Sequence, residues 1–218
     1  MTGLITVQFW NDLICPMCPI GNVKLNEAIE RFVHKDKVEI VYRSFRLRPG
    51  VPPHTVNEYL ERNHGKGTNV PAILAQVEQM GADAGLVYKM AKTLAGDTLD
   101  AHRVVQFAKP AGLQRETVER LYEAHFAEEA NIFDRGTLVR LAGEVGLDQN
   151  AVASMLAGDS LKKEVEADEK AVKQMGIGGV PFFLINDTIP VRGIQTPEHF
   201  LSVFDQAWNA HDEQPQTV

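Results

Sequence analysis

The chain has 218 residues, 44% hydrophobic and 23% charged, with a net charge of −7. This accommodates one large globular domain, or one domain carrying a substantial insertion. The acidic balance without a basic stripe argues against a nucleic-acid partner, and no 18-residue apolar stretch offers a membrane-spanning helix.

In chain order, residues 4–10 (LITVQFW) read as a first strand and residues 38–45 (VEIVYRSF) as a second, both rich in β-branched and aromatic residues. Between them Leu25, Ala28, Ile29, Phe32 and Val33 recur at helical spacing behind Pro16, which suits a first turn. Strand, helix, strand at this separation is a βαβ unit with parallel strands and a right-handed crossover. No basic, apolar and small-residue leader pattern precedes the first strand, so the expected location is cytoplasmic, provided the gene product begins here.

Residues 46–67 are punctuated by Pro49, Gly50, Pro52, Pro53, Gly65 and Gly67 and read as loop. Helical spacing then persists for about a hundred residues. Its stripes are Ile73–Leu74–Val77–Met80, Leu86–Val87–Met90–Leu94, Ala101–Val104–Val105–Ala108 and Val118–Leu121–Tyr122–His125–Phe126. Leu138–Leu141–Ala142–Val145 runs to a C-capping Gly146; Val152–Met155–Leu156 and Leu161–Val165–Ala171–Val172–Met175 stop at Gly158 and Gly176. Trp10 and the methionines Met80, Met90, Met155 and Met175 are assigned to the core. Residues 180–185 and 188–193 flank Asn186-Asp187 as an antiparallel hairpin, and Pro197 opens a last helix. The expected division is an α/β domain in two parts, 1–55 and 159–211, a helical insertion over 56–158, and a tail at 212–218.

The two cysteines stand together at Cys15 and Cys18, where the first strand hands over to the first helix. A helix N-terminus presents unpaired N–H groups and the positive end of the dipole, which favour a thiolate. Cys15 at the N-cap is therefore the candidate attacking sulfur, and Cys18, one turn inside, the resolving thiol. The offset of three keeps the sulfurs close enough to bridge. A zinc site would need two further ligands, and no H-x3–5-H pattern supplies them; two inert buried cysteines are the bland alternative. No cofactor is implied beyond the cysteine pair.

The segments FWNDLICPMCPIG (9–21), FRLRP (45–49), TLDAHR (98–103), GIGGVPFF (176–183) and GIQTPE (193–198) resemble, in order, the DsbA-like oxidoreductases of the thioredoxin superfamily, in their cytoplasmic FrnE-like branch. The resemblance implies a thioredoxin-like fold with a large all-helical insertion, and disulfide exchange through Cys15 and Cys18. It also implies a cis Pro181 beside the cysteines, with Val180 pairing by backbone to an incoming peptide. Pro181 brings no N–H to compete for the thiolate. Met17 and Pro19 stand where the family usually has Trp and Tyr. Met17 lies between the cysteines, where the residue tunes redox potential, and contact with substrate is favoured over packing. Asp12 reads equally as a tuner of the thiols and as a turn cap. His102 points either toward the site or sits satisfied at a helix start.

The expected partners are proteins bearing thiols or disulfides, with glutathione as a candidate co-substrate; oligomeric state is open. The main rival is glutathione chemistry of the 2-hydroxychromene-2-carboxylate isomerase or kappa transferase type, which resembles the same architecture but usually has serine where Cys15 stands. A third reading is a protein-binding module using the insertion as a lid.

Overall fold

A computed structural model describes residues 4–65 and 67–212, so all of the expected tail but its first residue lies outside the described residues. Strand β1 (Ile5–Asn11) alternates Ile5, Val7 and Phe9 on one face with Thr6, Gln8 and Trp10 on the other. It sits inside a four-stranded sheet of order β2-β1-β5-β6, formed with β2 (Val38–Ser44), β5 (Phe182–Ile185) and β6 (Ile189–Arg192). β1 runs parallel to β2 and antiparallel to β5, and β5 pairs antiparallel with β6. The β5–β6 turn places both Asn186 and Asp187 at positive φ, 49° and 58°, as a two-residue primed turn requires.

The register sets the two cores. Phe9 faces Phe183 across the β1–β5 ladder, ring centroids 4.4 Å apart, on the face that receives α1 (Met17–Arg31) and α9 (Pro197–Asp212). Trp10 and Phe182 pair on the opposite face, in a smaller cluster with Phe45, Val172, Ile177 and Leu184. There α8 (Lys162–Gln174) packs on β2. Between β2 and α8 the chain forms α2 (Val56–His64), α3 (Val70–Asp83), α4 (Leu99–Ala108), α5 (Gln114–Phe126), α6 (Arg135–Glu144) and α7 (Gln149–Ala157). Their inward faces join the larger core without a break. This is the thioredoxin-like arrangement with helical insertion that the resemblance implies. No described helix is long and apolar enough to cross a membrane.

The structure departs from the sequence pattern at several places. Residues 46–67 hold β3 (His54–Thr55) and α2, opened by a reciprocal capping box between Thr55 and Glu58. The stripe Leu86–Leu94 is no helix: Gly85 turns the chain at φ +77°, Lys89 N–H bonds Phe126 O at 2.7 Å, and a 3-10 turn leads into β4 (Leu94–Ala95), which pairs with β3. Met80 and Met175 are more than a third exposed, whereas Met90 and Met155 are core. Val33 lies beyond the end of α1 and is exposed.

Candidate active site

β1 ends at Asn11, and one turn carries the chain into α1. Cys15 N–H donates to Asp12 O and Cys18 N–H to Cys15 O, each at 3.1 Å. The helix starts at Met17 with Pro16 as its N-cap, so Cys15 stands one residue ahead of the cap rather than on it. Cys15 is 5% exposed and Cys18 fully buried, and both are free thiols. Burial, and then the hydrogen bond with Cys15, push the Cys18 thiol well up; a hydrogen bond from the Asp12 backbone opposes them. Cys18 is thus held as a protonated thiol behind the more accessible Cys15.

Three further elements converge on the pair. The loop before β5 brings Val180 and Pro181, joined by a cis peptide bond, and the Cys15 thiol lies 3.7 Å from Val180 O. Gly21 on α1 makes this approach possible: a β-carbon there would lie 3.2 Å from both the Phe183 and the Pro181 rings. From the insertion, Tyr88 donates its hydroxyl to Pro16 O at 2.6 Å. Burial first, then the repulsion it would feel beside the Cys15 and Cys18 sulfurs if these ionised, raise its phenol and keep it protonated. Tyr122, donating to Asn11 Oδ1 at 2.8 Å, is raised by the same causes.

Asp12 is wholly buried below the turn. Its carboxylate accepts from Leu47 N–H at 2.6 Å and Thr98 hydroxyl at 2.8 Å, while the local cap to Ile14 N–H is long at 3.5 Å. It therefore ties the cysteine turn to the loop after β2 and to the start of α4. His102 lies under the site, 1% exposed, with Nε2 3.6 Å from Asp12 Oδ1 and no hydrogen-bond partner for that nitrogen. It is not the satisfied polar residue that a helix start would make it. Met17 is half-buried and packs against the main core. Among the described residues no His, Cys, Asp and Glu group is arranged to hold a metal ion.

Sequence reasoning thus named six residues that the fold gathers around Cys15: Asp12, Met17, Cys18, His102, Val180 and Pro181. It missed Tyr88, submerged in a stripe read as helix, and the packing role of Gly21.

The family described as the DSBA-like thioredoxin domain matches residues 6–205. The chain belongs to that family. A probable DsbA oxidoreductase of Streptomyces coelicolor is 33% identical, with a TM-score of 0.90 over 98% of this chain and 93% of that one. Two more distant structures share the fold. The cytosolic disulfide reductase DsbM of Pseudomonas aeruginosa, solved with GSH, is 14% identical at TM-score 0.62 over 95% of this chain and 98% of that one. A 2-hydroxychromene-2-carboxylate isomerase is 13% identical at TM-score 0.67 over 96% and 100%. The family assignment makes the protein a DsbA-like oxidoreductase.

Proposed function

We propose that this DsbA-like protein exchanges disulfides with protein or small-molecule thiols through Cys15 and Cys18. The observation that carries the reading is the asymmetry of the pair: Cys15 faces Val180 at the mouth of the site, while Cys18 is buried with its thiol pushed up. An attacking sulfur must be reached by substrate, and a resolving sulfur is best kept protonated until it is needed.

In the oxidising direction a substrate thiolate attacks Cys15 of the Cys15–Cys18 disulfide. The S–S bond breaks, Cys18 leaves as thiolate and takes up a proton, and a mixed disulfide forms. A second substrate thiolate then attacks the substrate sulfur of that bond, so the substrate leaves oxidised by two electrons and both active-site cysteines are left reduced. In the reducing direction the Cys15 thiolate opens the substrate disulfide, and Cys18 displaces the product. Val180 supplies backbone for pairing with an extended substrate, and Asp12 with His102 positions the turn beneath. Glutathione is a reasonable small co-substrate, since the distant relative DsbM was solved with it. The same relative's description as cytosolic supports a cytosolic place of work.

Trapping tests this reading. With an oxidised protein substrate, Cys18→Ser is expected to accumulate mixed disulfides at Cys15, while Cys15→Ser gives no exchange. Exchange that survives in Cys15→Ser overturns the assignment. Glutathione-dependent isomerisation that needs neither sulfur to cycle would return the isomerase reading to the front.

A further inference from the structure

A cleft of about 420 Å³ lies between α1 and the insertion. This is within the range of sites that hold a side chain or small ligand. It begins at Pro19, the residue after Cys18, and extends along α1 to Asn26. The seven helical steps from Pro19 to Asn26 measure roughly 10 Å, the length of about three residues of extended chain. Tyr88 belongs to both places: its ring lines the cleft and its hydroxyl holds Pro16 O.

The walls differ in chemistry. Leu86, Val87 and Tyr88 form an apolar side, and Val87 stands 64% exposed. Helix α5 lines the cleft with Glu119 and Glu123 beside Tyr122 and Phe126, and among the described residues no basic one lines it. Arg115 pairs with Glu119 at 3.1 Å, whereas Arg120, 3.6 Å from Glu123, also pairs with Glu128 and Glu144, so one cation serves three carboxylates and the rim stays acidic. Glu119 Oε1 accepts from Asn22, Asn26 and Arg115, each at 3.1 Å, which fixes the carboxylate against the cleft floor. An anionic small thiol such as glutathione gains nothing from such a rim, whereas a basic group beside an apolar one is complementary to this mixed lining.

We propose that this cleft selects the substrate: it takes an apolar side chain and a neighbouring basic residue of a polypeptide, within about three positions of the cysteine that reacts with Cys15. This rests on the disulfide-exchange reading and names its substrate class. During attack the peptide thiolate forms the bond to Cys15 and Cys18 leaves, as above, and the cleft contributes binding alone.

The test uses the oxidised full chain and single-cysteine peptides carrying Leu-Arg, Leu-Glu, Ala-Arg or Ala-Glu two to three residues from the cysteine, on either side. Mixed-disulfide formation is followed by acid quench and thiol labelling, with dithiothreitol as a small-thiol control. Leu-Arg peptides are expected to react about tenfold faster than Ala-Glu peptides, from burial of the leucine and attraction of the arginine. In Glu123→Lys the Arg-over-Glu preference reverses, and Val87→Asp erases the Leu-over-Ala preference; each is a ratio within one variant, so altered stability does not mimic it. Equal rates for all four peptides, with dithiothreitol still oxidised, overturn the cleft proposal and leave disulfide exchange standing. Failure of dithiothreitol to reduce the pair overturns both.

Discussion

His125 lies between the rings of Phe126 and Phe133, 1% exposed, with both ring nitrogens unbonded. Burial pushes its pKa from the ordinary 6.5 down to about 4, although the charge of Asp12 works the other way. Above pH 6.5 the histidine is neutral in both states and costs no pH-dependent stability. As pH falls from 6.5 toward 4 the unfolded chain takes up a proton that the folded chain refuses, so stability declines by up to roughly 3 kcal/mol. His125→Leu is expected to remove that part of the acid limb. Urea unfolding from pH 7 to 4 checks it, and parallel curves for wild type and variant would contradict it. The sequence shows why this residue is hard to find. His125 falls in the stripe of α5 with Leu121 and Phe126 and reads as core, which it is. Its proximity to Asp12 arises only when α5 is packed. Cys15 and Cys18, by contrast, are legible because their chemistry depends on local spacing.

Helix α1 carries the site by lying close to β5 and the loop before it, and Gly21 sets that distance. Alanine would favour the helix by up to ~1 kcal/mol. Its methyl would meet Phe183, stacked on Phe9 and edge-on to Phe200, and the ring of Pro181, at 3.2 Å. Both neighbours are packed and stiff, so the crowding wins. Gly21→Ala is expected to lose about 1–2 kcal/mol of unfolding free energy in denaturant titration and to slow exchange at Cys15, because Pro181 must move away from it. Unchanged stability and rate would mean that α1 shifts freely. At this scale the alternation of β1 and the Asn186-Asp187 turn are legible, since period and turn chemistry are local rules. The stripe Leu86–Leu94 misleads because its apolar residues share helical spacing while Gly85 and the bond from Lys89 to Phe126 O hold the backbone otherwise.

Across the whole molecule, buried acids join the sheet to the insertion. Asp12 accepts from Thr98, and Asp168 accepts from Ser44 N–H, Arg43 and Gln106. Arg46, mostly buried, bonds Glu169 of α8 at 2.7 Å and Asp97, just before α4, at 3.1 Å. The insertion is thereby held in one register against the cysteine turn, and Tyr88 is carried to Pro16. The order of elements and the helical block are legible from periodicity, because each helix declares its own apolar face. The long-range acid contacts are not, since nothing local marks Asp12 or Asp168 as buried.

On the disulfide-exchange reading, Cys15 and Cys18 form one reversible redox centre. Equilibrating the protein in glutathione buffers, with thiol labelling and fluorescence of Trp10 and Trp208 as readouts, tests it most directly. A single two-electron transition is expected between roughly −270 and −120 mV, lost in Cys15→Ser and in Cys18→Ser. A pair that stays reduced across that range, or a transition that survives either substitution, would contradict it.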